Sequence, residues 1–179
     1  VMGSGIAAHL ANAGIPTLLL DIVPPKAAEG EKTDGKAFRN KFALAGLANL
    51  RKAKPAAVYS HAALALIEVG NFDDDLGRLS ECDWVVEVVK EDLAVKQALF
   101  ARVEKVIRPG TIVISNTSVL SIVGMLQGRG AQLRRSFLVT HFFNPVRYMK
   151  LLELVAGPET SPEVVQAIHL FGEERLGKG

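Results

Sequence analysis

The first 21 residues read VMGSGIAAHLANAGIPTLLLD and predict a helix that leads through a short turn into a strand. Small and apolar residues recur at helical spacing over Gly5–Ala13, and Gly14 and Pro16 indicate where this helix ends. The apolar run that follows predicts a strand over Thr17–Ile22. A helix start made of small residues, followed closely by an apolar strand, is typical of a fold in which helices pack on a sheet.

The same alternation continues to the end of the chain. Further strands are predicted at Ile67–Val69, Trp84–Val89, Thr111–Ser115, Phe137–His141 and Leu151–Val155. Further helices are predicted at Phe38–Lys54, Leu93–Ile107 and Pro162–Phe171, and a polar surface loop at Pro24–Gly35. The strands are continuous apolar runs, as expected when helices cover both faces of a parallel sheet. We therefore expect an α/β fold of the doubly wound, Rossmann type with a mostly parallel sheet.

The beginning of the chain is unusual for this fold. The glycine-containing segment Val1–Gly5 runs straight into a helix with no strand before it. In a doubly wound sheet the strand before such a segment is central, with a neighbour on each side. We therefore expect that the first, central strand is missing and that the chain is an excerpt of a longer polypeptide.

Composition narrows the kinds of partner. A formal net charge of +2 gives no field strong enough to favour nucleic acid or an anionic membrane. The apolar runs are shorter than the roughly 20 residues that a membrane helix needs. The single cysteine, Cys82, suits a reduced cytoplasmic setting. Small molecules are the expected partners, with no nucleic acid and no membrane.

A glycine and an acidic residue near the start of the chain suggest a dinucleotide-binding site. Gly3, preceded by Met2, stands where the last glycine of a G-x-G-x-x-G loop would stand, so the helix amides after it can face a pyrophosphate. Simple close packing of a helix is the alternative. Asp21 follows at roughly the 20-residue spacing of the acid that holds the adenine ribose hydroxyls, which favours NAD over NADP. A loop-capping role for Asp21 stays open, and Lys26 nearby leaves NADP possible as cofactor.

Polar residues also follow a later strand. Ser115, Asn116, Thr117 and Ser118 come at a predicted strand end, and ligands in open α/β sheets bind outside the carboxyl ends of strands. Such clusters also form ordinary turns and caps. This segment is therefore either part of a ligand site or a turn.

The most informative residues lie near the last two predicted strands. Glu153 interrupts an apolar strand, where burial of a carboxylate is costly unless a donor pairs with it. His141, at the end of the preceding strand, is the expected donor. A carboxylate that accepts one ring proton fixes the tautomer and makes the other nitrogen a general base. The alternative is an outward Glu153 on an edge strand and a histidine in the core.

With these residues in place, the chain resembles the 3-hydroxyacyl-CoA dehydrogenase family along essentially its whole length. The matching strings are Val1–Ala7, Val86–Glu91 with Lys96, Ser115–Ser118, His141–Pro145 and Lys150–Glu153. The stretch from Lys36 to Gly70 is similar to the bacterial branch in which an enoyl-CoA hydratase shares the polypeptide. Other NAD-dependent dehydrogenases with a similar start are expected to use a lysine base and lack the His-Phe-Phe-Asn-Pro string.

The resemblance implies a reaction and roles. His141 would take the proton from the 3-hydroxyl of an (S)-3-hydroxyacyl-CoA while hydride passes to NAD, giving a 3-ketoacyl-CoA in fatty acid β-oxidation. Glu153 would orient His141, Ser118 would bond the reacting oxygen, and Asn144 would lie beside the nicotinamide. The positions that match cofactor-facing residues of the family are Met2, Gly3, Asp21, Glu91, Lys96, Ser118 and Asn144. No metal is implied.

The resemblance also concerns what surrounds the chain. Residues 1–179 would be the NAD-binding domain, without the helical C-terminal domain that closes over the acyl-CoA substrate and forms the homo-oligomer. Without that domain and the first loop glycines, the chain by itself is expected to turn over poorly. A non-catalytic dinucleotide-binding or structural domain is the alternative, because the family includes a lens protein that has kept the fold.

Overall fold

The computed structural model describes residues 2–27, 30 and 32–179. It contains two compact units, one formed by the chain up to Leu76 with Asn144–Tyr148, the other by Gly77–Phe143 with Met149–Gly179. Val1, with which the first matching string begins, and part of the predicted loop Pro24–Gly35 lie outside the described residues.

The first unit begins with a helix and a pair of parallel strands. Its elements are α1 (Met2–Asn12), β1 (Thr17–Asp21), α2 (Lys36–Arg39), α3 (Lys41–Lys52), a 3₁₀ helix (His61–Leu66) and β2 (Ile67–Asn71). The register places Thr17 opposite Ile67 and Asp21 opposite Asn71. Because α1 carries alanines at positions 7, 8 and 11, it buries a flat face in a core completed by Leu50, Val58, Leu64 and Ile67.

The predicted helix Phe38–Lys54 is wrong as a single element. It is divided at Asn40, whose backbone leaves helical geometry with φ −99° and ψ 13°, and whose side-chain Oδ1 accepts a hydrogen bond of 2.7 Å from Asn71 Nδ2. Asparagine readily exchanges helical hydrogen bonds for side-chain ones. The helix after it ends at Lys52, since Pro55 disfavours helical geometry at the residue before it.

The second unit is a four-stranded sheet with helices. Its strands are β3 (Trp84–Glu87), β4 (Ile112–Ser115), β5 (Phe137–Phe142) and β6 (Leu152–Ala156), and its helices are α4 (Leu93–Val103), α5 (Ile122–Met125), α6 (Ala131–Arg135) and α7 (Pro162–Glu174). A 3₁₀ helix covers Leu76–Glu81. The spatial order is β3-β4-β5-β6, with β6 antiparallel at the edge. The first three strands are parallel and end together at one edge of the sheet.

Each long helix of this unit has a reason to form and to pack. The Asp92 side chain caps α4 by accepting from Val95 N–H at 3.1 Å. Further along the helix, Phe100 meets Phe137 of β5 edge to face, with ring centroids 5.1 Å apart. Ile168 of α7 belongs to a separate core cluster with Ile114 and Leu138 of the sheet. Helices therefore pack on the sheet through two distinct clusters.

The predicted fold class, α/β with parallel-dominated sheets, is confirmed. All six predicted strands are present, with ends shifted by up to two residues. The sequence did not predict α5 and α6, because four or five residues are too few to show a helical period. Within the part of the chain that the structure describes, no helix has the length and apolar character to cross a membrane.

Candidate active site

His141 and Glu153 face each other across two neighbouring strands. The β5–β6 register pairs them directly, and side chains opposite each other in an antiparallel pair lie within mutual reach. His141 Nδ1 is 2.9 Å from Glu153 Oε2, so the predicted hydrogen bond is present. The burial argument behind it is wrong, because β6 is an edge strand and the Glu153 side chain is 51% exposed. Glu153 is thus an outward carboxylate that still reaches the histidine.

The second ring nitrogen of His141 also has a partner. Ser118 Oγ lies 3.0 Å from Nε2. Since an ionised carboxylate only accepts, Nδ1 is assigned as the protonated nitrogen, which leaves Nε2 to accept from the Ser118 hydroxyl. The Phe143 ring lies against the imidazole with centroids 4.4 Å apart. Glu153, His141 and Ser118 therefore form one hydrogen-bonded row in which Nε2 accepts from the Ser118 hydroxyl.

The segment that carries Ser118 is held by Asn116 and Thr117, two residues to which the sequence assigned no individual role. Asn116 N–H donates to the Glu87 carbonyl at 2.9 Å, and Asn116 Oδ1 accepts from Phe142 N–H at 2.9 Å. Asn116 thereby joins the ends of three strands. The Thr117 hydroxyl donates to the Glu91 carboxylate. A polar residue directly after a parallel strand was the only sequence signal for this arrangement.

A buried ion pair lies beneath this segment. Lys96 Nζ is 2.8 and 2.9 Å from the two carboxylate oxygens of Glu87, and 3.3 Å from Ser115 Oγ. The Lys96 side chain has no exposed surface, and that of Glu87 is 2% exposed. Lys96 Nζ is also 3.5 Å from Oε2 of Glu91, whose side chain is 40% exposed. Glu91 can therefore meet a ligand directly, whereas Lys96 is enclosed.

In the first unit, the predicted cofactor residues gather at one end. Because α1 packs against β1 and joins it through a short turn, the two run in opposite directions. The N-terminus of α1, with Met2 and Gly3, therefore lies at the same end as Asp21. Asp21 is exposed, and its Oδ1 accepts from Ile22 N–H at 2.8 Å. An exposed carboxylate at the same end as the N-terminus of a helix fits the ribose and pyrophosphate of a dinucleotide.

Asn144 lies in a separate segment of the first unit and is exposed. Two neighbours anchor this segment. A Cβ at Gly5 would come 3.2 Å from Val146 Cγ2, so the absence of a side chain lets Val146 approach α1. Arg147 Nη1 donates to the carbonyls of Ala56 and Val58 at 2.8 and 3.2 Å.

Among the residues that the structure describes, no three histidine, cysteine or acidic side chains are grouped as metal ligands.

Comparison of the chain with known proteins identifies its family. The model of the NAD-binding domain of 3-hydroxyacyl-CoA dehydrogenase matches residues 1–179. The chain belongs to this family. The resemblance predicted from the sequence is thereby confirmed, and NAD is the cofactor after which the domain family is named.

The names of similar proteins agree with this family. Probable 3-hydroxyacyl-CoA dehydrogenases of Bacillus subtilis and Deinococcus radiodurans are each 46% identical over 100% of the chain, which spans 23% and 49% of their lengths. The crystal structure of M. tuberculosis FadB2 is 29% identical, with a TM-score of 0.79, over 99% of this chain and 58% of that one. The chain thus spans about half or less of the curated relatives it matches here.

Proposed function

We propose that the protein oxidises the 3-hydroxyl of an (S)-3-hydroxyacyl-CoA to a 3-ketone with NAD, as a step of fatty acid oxidation. The observation that carries the proposal is the Glu153–His141–Ser118 row, which leaves His141 Nε2 as a base with its tautomer fixed. Relatives give the pathway its support, since a Rickettsia felis protein 35% identical over 99% of the chain is named a putative fatty acid oxidation complex trifunctional enzyme.

The proposed chemistry divides between the cofactor and the side chains. NAD supplies the acceptor for the hydride that leaves C3 of the substrate. His141 Nε2 takes the hydroxyl proton, and Glu153 stabilises the resulting imidazolium through the Nδ1 hydrogen bond. Ser118, which donates to Nε2 in the free chain, would turn its hydroxyl towards the substrate oxygen. Asn144 would border the nicotinamide.

The residues proposed to meet the cofactor are those that match the family's cofactor-facing positions. Amides at Met2 and Gly3 would meet the pyrophosphate, and Asp21 would accept hydrogen bonds from the adenine ribose. Glu91 would contact the nucleotide through its exposed carboxylate. Lys96, enclosed by its neighbours, would act through the Glu91 carboxylate 3.5 Å away.

The proposed partners follow from the same reaction. The substrate is an acyl-CoA, the location is the cytoplasm, and the whole protein is a homo-oligomer. The acyl-CoA proposal rests on the family, the location on the single cysteine Cys82, and the homo-oligomer on the resemblance to the family.

The test uses the protein as its gene encodes it, with a 3-ketoacyl-CoA such as acetoacetyl-CoA and NADH. Replacing His141 by Gln should lower kcat by roughly 10² to 10⁴, the usual contribution of a general acid–base group. NADH binding, followed by fluorescence, should persist. The matched control is His169→Gln, since His169 is 57% exposed on α7, and it should leave kcat unchanged. Equal kcat for the wild type and His141→Gln would exclude His141 as the base. NADH binding without any reduction by the wild type would instead favour a non-catalytic dinucleotide-binding domain.

A further inference from the structure

The carboxylate of Glu87 is the centre of a closed polar cluster at the end of β3. Its Oε1 accepts from Lys96 Nζ at 2.8 Å and from Val89 N–H at 2.6 Å. Its Oε2 accepts from Lys96 Nζ at 2.9 Å and from Ser115 Oγ at 2.5 Å. Both carboxylate oxygens therefore have two donors each. Such full satisfaction of a buried charge fixes its position and that of its donors.

The three donor groups come from the elements that surround the Glu153–His141–Ser118 row. Val89 lies in the loop after β3, Lys96 in α4, and Ser115 at the end of β4. The backbone of Glu87 adds a further bond, because its carbonyl accepts from Asn116 N–H at 2.9 Å. A single residue thus fixes both the side chain of Ser115 and the backbone of the next residue.

The same fixed segment leads directly to Ser118. After Ser115 and Asn116, Thr117 is tied through its hydroxyl to Glu91, whose carboxylate is 3.5 Å from Lys96 Nζ. Thr117 Oγ1 also accepts from Leu120 N–H at 3.2 Å. Ser118 therefore leaves a segment that is bonded on both of its sides.

We propose that Glu87 is a positioning residue for the active site: through Lys96, Ser115 and Asn116 it holds the segment 115–118 so that Ser118 Oγ meets His141 Nε2. Its effect on catalysis rests on the proposed function, but its effect on the Ser118–His141 hydrogen bond does not. A purely structural ion pair would stabilise the fold and leave that hydrogen bond unchanged when replaced. A positioning role and a purely structural role for Glu87 therefore predict different outcomes for the Ser118–His141 hydrogen bond, which can be measured.

The contact can be measured by ¹H–¹⁵N correlation of the histidine rings in the 179-residue chain. The chain has four histidines, and the His141→Gln spectrum identifies the signals of His141. Ser118→Ala gives the Nε2 shift that accompanies loss of the hydrogen bond. The main variant is Glu87→Gln with Lys96→Met, which removes both charges and leaves no buried ion unpaired.

We expect the double variant to move the Nε2 signal at least half as far as Ser118→Ala moves it. The Nδ1 signal, which reports the bond to Glu153, should stay in place. Glu104→Gln is the matched control, because Glu104 accepts from Arg129 and Gly130 in the same unit, away from the row. It should leave both His141 signals unchanged.

An unshifted Nε2 signal in the folded double variant would overturn the proposal. If the double variant does not fold, Ser115→Ala replaces it, since this change frees the segment while the Lys96–Glu87 pair persists. It should also shift Nε2, and coincidence with the wild-type signal would overturn the proposal in the same way.

Kinetics separate this inference from the proposed function. In the gene-encoded protein, the double variant should lower kcat as much as Ser118→Ala does. An Nε2 shift in a protein without any 3-ketoacyl-CoA reduction would refute the proposed function and uphold the positioning role of Glu87. Loss of kcat without an Nε2 shift would refute the positioning role alone.

Discussion

Replacing Lys96 by Met tests how strongly the buried ion pair stabilises the second unit. Methionine has nearly the same length and fills the space of a side chain that has no exposed surface. It removes the cation that bonds both Glu87 oxygens, at 2.8 and 2.9 Å. Glu87 is left as a buried carboxylate with only Val89 N–H and Ser115 Oγ as donors.

The expected loss in the free energy of unfolding follows from the burial of Glu87 and from its two remaining donors. Removing one partner of a buried pair costs roughly 3–5 kcal/mol, because the other charge stays uncompensated. The two remaining donors keep the cost far below the roughly 20 kcal/mol of transferring a bare ion into a low-dielectric medium. With a urea m value of about 2 kcal/mol/M, the unfolding midpoint should fall by roughly 1.5–2.5 M.

Urea unfolding followed by tryptophan fluorescence suits this measurement. Trp84 is the only tryptophan of the chain and lies in β3, where its ring meets Phe171. Arg108→Met is the matched control, since Arg108 pairs with Asp83 at the surface, with side chains 50% and 92% exposed. Arg108→Met should lower the free energy of unfolding by about 0–1 kcal/mol. Equal midpoints for the Lys96 and Arg108 variants would refute the argument that burial makes this ion pair costly to break.

Three further predictions concern the first unit. Asp21→Ala should weaken NADH binding roughly 10-fold or more and reduce the preference over NADPH, as measured by fluorescence titration, because a charged acceptor for the ribose is lost. Gly70→Ala should lower the free energy of unfolding in urea by roughly 2–4 kcal/mol. The added Cβ would lie 2.7 Å from Asp75 Cγ and displace the carboxylate that accepts from Asn71 N–H. Hydrogen bonds from Arg39 and Asn71 hold the pKa of Asp74 at about 2, below its ordinary 3.8. Ionised Asp74 therefore stabilises the fold above about pH 4. This stabilisation is lost as the pH falls towards about 2. Asp74→Asn should flatten that part of the acid-unfolding profile.

Each of these has an outcome that contradicts it. Unchanged NADH and NADPH affinities would remove Asp21 from the cofactor site. A Gly70→Ala chain as stable as Gly77→Ala, whose added Cβ meets nothing within 4 Å, would show that Asp75 relocates without cost. Parallel acid-unfolding profiles for Asp74→Asn and the wild type would show that the Arg39 bond does not persist in solution.

The fold class and the candidate pair His141 and Glu153 were accessible from the sequence by itself. Apolar runs of strand length, separated by helical periods and by Pro or Gly, are local signals, and each of the six strands carried one. His141 and Glu153 were identifiable because each places a polar group at the end of or inside an apolar strand, whereas the role of Ser118 came from the family resemblance. Those positions are properties of short stretches of chain, which a single sequence displays.

Only the tertiary structure decided how the polar groups pair. The register of β5 on β6 sets His141 opposite Glu153, and the edge position of β6 leaves that carboxylate exposed rather than buried. The contacts that fix Ser118 join β3, α4, β4 and β5, and the break at Asn40 depends on Asn71, 31 residues away. Lys96 showed no sign in the sequence of being fully enclosed by Glu87 and Ser115. Hydrogen bonds between residues far apart in the chain leave no period in its sequence, because the partner that satisfies each group is chosen only when the elements pack.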